Sequence, residues 1–138
     1  MIKGWNTAIV RKKPSLPMQW LDNNGYLKGR QLDYGCGRGF DAEYYEIDRY
    51  DPHWFPDSPV GLYDTITCNY VLNVVTKKKE RAIIEHIKTL LTGTAFFTVR
   101  RDIKKSQKGR GVIQRLVKLD LPLVYEKKGA FAIYSFDS

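Results

Sequence analysis

The sequence predicts a single α/β layered domain, with helices laid on a mostly parallel sheet that an antiparallel hairpin closes. Three observations carry this. A short apolar run enters a glycine-rich bend, Leu32-Asp33-Tyr34-Gly35-Cys36-Gly37-Arg38-Gly39. Strand-like runs then alternate with helix-like ones, and the chain finishes in two strand-like runs around Lys127-Lys128-Gly129. Alternation implies parallel pairing through helical crossovers, whereas a tight terminal turn imposes antiparallel pairing.

Pro14 and Pro17 punctuate a polar, basic start, and Ser15 is placed to cap a short helix through Met18, Leu21 and Asp22 that Asn24-Gly25 closes. The first strand is expected over 31–34, a very short helix over 40–46, and the second strand over 47–50, stopped by Pro52. Three prolines make 52–61 irregular. Residues 63–69, rich in β-branched side chains, read as a strand, and 71–75 as one helical turn. Thr76 caps the clearest helix, 77–91, whose Ile83, Ile84, Ile87, Leu90 and Leu91 share a stripe, with Gly93 as its terminator. His86 lies off that stripe and reads as a surface histidine. A strand over 94–99 and a basic, glycine-containing loop over 101–111 follow. Strands over 112–119, 123–125 and 130–136 complete the chain.

With 138 residues the chain is expected to form one domain that buries roughly two-thirds of its unfolded surface. Residues 1–30 would form a basic segment and a short helix capping the site. No apolar run reaches the ~20 residues needed to cross a bilayer, and the start is not a signal peptide, so a cytoplasmic protein without membrane contact is expected. Cys36 and Cys68 are read as reduced thiols, and nothing near them has metal-ligand spacing. The net charge of +8 favours a polyanionic partner, nucleic acid first. Its candidate contacts are Arg11, Lys12 and Lys13 and, in the densest cluster, Arg100, Arg101, Lys104 and Lys105. A protein partner supplying specificity stays open.

A strand running into such a bend is expected to bring bare backbone N–H groups against a ligand. Asp51 lies 18 residues after Asp33, where an acid ending the second strand can take both ribose hydroxyls in a fork. Phe40 stands where the last glycine of the dinucleotide fingerprint would fall, which disfavours a nicotinamide enzyme. The bend, Asp51 and residues 69–73 should all meet on the rim beyond the carboxyl ends of the strands.

The pattern acid-x-Gly-x-Gly-x-Gly resembles the first motif of class I methyltransferases that use S-adenosylmethionine. The resemblance implies a compact Rossmann-like methyltransferase fold with S-adenosylmethionine as cofactor. Asp33 would bind the methionine amino group and Asp51 the ribose, with Gly35, Gly37 and Gly39 passing beside tail and ribose. Only eleven residues separate Asp51 from Tyr63, too few for the family's usual helix and third strand, so the adenine side is reduced and Trp54 is the candidate cover. Asn69, Tyr70 and Asn73 occupy the place of the fourth motif and are candidates for positioning the acceptor, with Asn69 also beside the cofactor. Neither the Pro-Pro pair of base-amine methyltransferases nor the Pro-Cys pair of cytosine-carbon enzymes is present there.

Across nearly the whole chain, Thr7-Ala8-Ile9-x-Arg11-Lys12, Ser15-Leu16-Pro17, the glycine bend, Tyr50-Asp51-Pro52, Asn69-Tyr70-Val71-Leu72-Asn73-Val74 and Arg100-Arg101-Asp102 resemble methyltransferases associated with DNA phosphorothioation systems and their phage relatives. That resemblance implies methyl transfer to an acceptor it does not name, with nucleic acid favoured. The competing expectation is a non-catalytic S-adenosylmethionine-binding accessory module acting on nucleic acid or a protein partner.

Overall fold

A computed structural model describes residues 12–103, 105–109 and 112–138. A six-stranded sheet runs in the order β2-β1-β3-β4-β8-β7. Its strands are β1 (Gln31–Tyr34), β2 (Asp48–Tyr50), β3 (Tyr63–Asn69), β4 (Leu91–Arg100), β7 (Leu123–Lys127) and β8 (Phe131–Asp137). β5 (Gln107–Gly109) and β6 (Val112–Gln114) pair as a separate antiparallel hairpin. β1 to β4 are parallel, and β8 runs antiparallel to both its neighbours, β4 and β7. The expected architecture is present, with one reversed strand next to the edge.

Among the described residues three α-helices cover the sheet: α1 (Leu16–Asn23), α2 (Phe40–Tyr45) and α3 (Lys77–Leu90). The central strands are buried on both faces, as parallel sheets require. In β4, Ala95, Phe97 and Val99 face the α3 layer with Ile83 and Ile87, while Phe96 faces Met18 and Leu21 of α1. In β8, Ala132 and Tyr134 join the first layer, and Phe131 and Ile133 the second. This alternation follows from the two-residue period of a strand. Ser15 starts α1, but its hydroxyl makes no capping bond. Its N–H and Oγ–H donate instead to the two carboxylate oxygens of Asp41, at 2.9 and 2.7 Å, tying α1 to α2.

Several expectations need correction. Gly93 does not terminate α3: the chain passes directly from Leu90 into β4, and Gly93 lies within that strand. A Cβ there would come within 2.1 Å of the Asp64 carbonyl oxygen, so glycine admits the close approach of β3 and β4 at their irregular register. The strand expected over 112–119 stops at Gln114. Beyond it the Arg115 N–H donates to the Asn73 carbonyl at 2.7 Å, and its guanidinium reaches Val75 O, Leu72 O and the Glu80 carboxylate. These bonds fasten the chain after β6 to the Leu72–Val74 turn and α3. Residues 107–109, expected within a loop, form β5. Between β2 and β3 there is no third strand, only a bridge between Asp51 and Phe55. Arg30 holds that connection, donating to Val60 O at 2.6 Å and Leu62 O at 3.0 Å while stacking on Tyr63.

Candidate functional site

The strand order reverses at β1, where the chain first adds β2 on one side and then β3 on the other. Beyond the carboxyl ends of these strands opens a cleft of about 1620 Å³, which Asp33, Gly35, Gly37, Asp51, Asn69 and Asn73 help to line. The bend, the second-strand acid and the tip of β3 therefore meet as expected.

The amides of the bend do not behave as expected. Gly35 and Cys36 both donate to the carbonyl of Tyr50, at 2.7 and 3.1 Å. Gly37 donates to Asp51 Oδ2 at 2.9 Å, and Gly39 to the Cys36 carbonyl at 3.0 Å. The first three N–H groups hold the bend against β2 and the Asp51 that follows it, and that of Gly39 closes the bend on itself. Gly35 has φ of 76°, and a Cβ on it would meet Val71 Cγ2 at 2.4 Å. Gly39 does not line the cleft. It starts α2 at φ of 84° and leaves room for the Phe55 ring, 2.8 Å from where its Cβ would stand.

Asp51 is buried, and its carboxylate is largely occupied. Oδ1 accepts the N–H groups of His53 and Trp54 at 2.9 and 3.1 Å, and Oδ2 accepts that of Gly37. A carboxylate has about four acceptor positions, so Oδ2 retains room for one more hydrogen bond. A fork onto two hydroxyls, the expected role, is not open to it with these bonds in place. Asp33 is also buried and accepts from Thr67 Oγ at 3.1 Å. The acidity of this corner registers on Cys36, whose thiol is pushed well above its ordinary range by burial and then by Asp33 and Asp51. Such a corner favours a cation.

At the tip of β3, Asn69 Oδ1 accepts from Thr98 Oγ at 2.7 Å, and Asn69 Nδ2 is buried with no hydrogen-bond partner among the described residues. Tyr70 has φ of 61°, a left-handed backbone on a bulky residue, held where its N–H donates to Thr98 O at 2.8 Å. Its ring packs against the core beneath α1. Leu72–Val74 form a 3-10 turn in which Asn73, almost fully buried, donates to Gln114 Oε1 at 3.1 Å. All three line the cleft. Arg115, which fastens this turn, carries no motif in the sequence, because its partners lie about forty residues away.

The adenine-side expectation changes. Trp54 is not among the residues lining the cleft; it lies under the Arg38 guanidinium, 4.5 Å from its ring. In its place the cleft has Tyr50 and, from α3, Ala82, Ile83 and His86. His86 is thus not a surface histidine. Its Nδ1 is 2.6 Å from the Tyr34 hydroxyl, and its ring meets Tyr34 and Tyr50 edge-on. Burial raises the Tyr34 phenol far above its ordinary value, with Tyr50 and Cys68 adding to the effect. The Tyr34 hydroxyl and His86 Nδ1 thus share one short hydrogen bond across the floor of the cleft.

The basic candidates separate. Arg101 is spent inside the fold, donating to Val117 O at 2.7 Å and Tyr134 Oη at 2.7 Å and pairing with Glu126 at 3.4 Å. Arg100 lines the cleft and forms a two-bond fork with Asp102, at 2.7 and 2.6 Å. That fork raises the arginine's pKa and lowers the aspartate's. Lys12, Lys13 and Lys105 are exposed. Arg11 and Lys104 lie outside the described residues, as do residues 7–9 of the resemblance.

The sequence matches no family model and no curated protein. Solved structures are similar in fold. Magnesium protoporphyrin IX methyltransferase (ChlM) from Synechocystis PCC 6803 with bound SAH superposes with a TM-score of 0.55 at 13% identity, covering 97% of this chain and 92% of that one. The same protein with bound SAM gives 0.52 at 14% identity, over 88% and 76% of the two chains. DhpI in complex with SAH gives 0.54 at 11% identity, over 86% and 85%. The chain has the Rossmann-like methyltransferase fold. Among the described residues, no helix is long and apolar enough to cross a membrane.

Proposed function

We propose that the chain is an S-adenosylmethionine-dependent methyltransferase whose acceptor is nucleic acid. The observation that carries the reading is the cleft, which joins the glycine bend, two buried carboxylates and the amide-bearing tip of β3 at the point where strand order reverses. Bound there, S-adenosylmethionine would supply an electrophilic methyl on a cationic sulfur. The residues present suit such a group. Asp33 and Asp51 favour positive charge, and the absent Cβ of Gly35 lets Val71 pack close against the bend at the cleft wall. Asp51 Oδ2 has one acceptor position for a ribose hydroxyl. Tyr50, Val71, Ala82 and Ile83 give an apolar wall for the base, with the His86 ring beside it.

On the other side Asn69, Tyr70 and Asn73 position the acceptor. A neutral nitrogen or sulfur acceptor attacks through a lone pair and needs little proton removal first, so the site requires orientation more than a strong base. The net charge of +8 supports a nucleic-acid acceptor. The accessory-module alternative draws on the internal bonds that already engage Asn69 and Asn73.

Calorimetry with S-adenosylhomocysteine tests the cofactor half: saturable one-to-one binding supports it, and absence of heat from folded protein refutes it. Incubation with methyl-labelled cofactor and separate DNA, RNA, protein and metabolite pools tests the rest. Label in nucleic acid supports the reading, label elsewhere corrects the acceptor, and binding without transfer favours the module.

A further inference from the structure

We propose that the β2 edge beside the cleft is a phosphate-binding surface for a nucleic-acid strand, with the guanidinium groups of Arg38 and Arg49 as its forks. This deepens the acceptor half of the reading above and rests on it for the choice of nucleic acid. Both arginines are exposed. Each is stacked on an aromatic ring, Arg38 on Trp54 at 4.5 Å and Arg49 on Phe55 at 3.9 Å.

The two stacks are contiguous. Gly39 follows Arg38 directly, and its Cβ position lies 2.8 Å from the Phe55 ring and 3.8 Å from Arg49 Cδ. Phe40 comes next and stacks in parallel with Tyr44, which is 61% exposed. Among the described residues neither arginine forms an ion pair or a hydrogen bond, whereas Arg30, Arg100, Arg101 and Arg115 all do. The residues outside the description contain no aspartate or glutamate to neutralise them.

A guanidinium held over a ring has lost part of its side-chain freedom, and an exposed one keeps N–H groups for the two-bond fork that suits a phosphate. Tyr44, the exposed ring of this group, offers a face on which a base of an unstacked strand can lie. Arg38 and His53 also line the cleft, so a strand held on this edge passes its mouth.

The test is fluorescence anisotropy of a labelled single-stranded DNA oligonucleotide across a salt series, without cofactor. Wild type, R38Q/R49Q, R38K/R49K and K77Q/K78Q are compared, the last removing the same charge from an exposed stretch of α3. Two lost phosphate contacts should lower the slope of log affinity against log salt by about 1.4 in R38Q/R49Q. The lysine pair should keep the slope and lose affinity several-fold, and K77Q/K78Q should match wild type.

An unchanged slope and affinity in R38Q/R49Q overturn the proposal, as does an equal loss in K77Q/K78Q, which would mean net charge alone. Wild type that binds polyglutamate but not the oligonucleotide overturns it in favour of an acidic protein partner. If R38Q/R49Q loses its thermal transition, the lysine pair decides. Absence of S-adenosylhomocysteine binding would end the cofactor reading and leave this measurement unaffected.

Discussion

Asp51→Ala separates the two duties of this carboxylate. In the folded chain it accepts three backbone N–H groups, at 2.9, 2.9 and 3.1 Å, and is 6% exposed. Removing it strands the Gly37 donor in the bend and undoes the turn at His53 and Trp54. Hydrogen bonds to a charged acceptor contribute about 1.5–3 kcal/mol each, but water entering from the cleft can serve part of the loss, so a net destabilisation of about 3 kcal/mol is expected. For a chain of this size that lowers Tm by about 10 °C. If Oδ2 also takes a ribose hydroxyl, S-adenosylhomocysteine affinity falls in addition by roughly ten- to hundredfold. Asp51→Asn keeps an acceptor for His53 and Trp54 but turns its amide donor toward Gly37, so an intermediate loss of stability is expected. Differential scanning calorimetry and titration calorimetry, run below the variant's transition, read the two effects apart. A lowered Tm with unchanged affinity would refute the ribose assignment and leave Asp51 a strut of the bend.

Gly93→Ala should destabilise by about 3 kcal/mol or more in urea unfolding, because the Asp64 carbonyl that the new Cβ meets is main chain and cannot rotate away. Arg101→Gln should cost about 2–3 kcal/mol in the same assay, from stranded acceptors at Val117 and Tyr134, while leaving the salt slope of oligonucleotide binding unchanged. Tyr45 and Tyr63 are each pushed up to about 12, both by burial first, with Asp22 and then Asp41 adding for Tyr45 and a hydrogen bond to Asp48 for Tyr63. Their folded-state values lie above the ordinary 10, so their contribution is fully present below pH 10 and is lost as pH rises toward 12. Urea midpoints should fall across that window, and less steeply in Tyr63→Phe.

Much of the architecture was legible because local signals agree with global ones. β1 occupies 31–34 as expected, and Thr76 caps α3 with its hydroxyl accepting from Lys79 N–H at 3.2 Å. The glycine bend, Asp51 and Asn69 converge because strand ends in a parallel sheet share one rim. What escaped was long-range. Gly93 looks like a helix stop until β3 is known to pass it. His86 looks solvated because the stripe of α3 is judged from aliphatic residues, whereas its partners, Tyr34 and Tyr50, come from other strands. Trp54 follows Asp51 closely but is turned aside under Arg38. A glycine-rich motif announces close backbone approach, yet it does not say whether its N–H groups face a ligand or the neighbouring strand.

That last point bears on how anything enters the cleft. With the Tyr50 carbonyl gripping two consecutive amides and Asp51 a third, the loop is already in its working shape when empty. Little chain disorder remains to be frozen on occupancy, so capture should be limited by encounter and not by rearrangement. Amide exchange at Gly35, Cys36 and Gly37 should then be slow with or without an occupant, making the loop a fixed jaw against which the rest of the site closes.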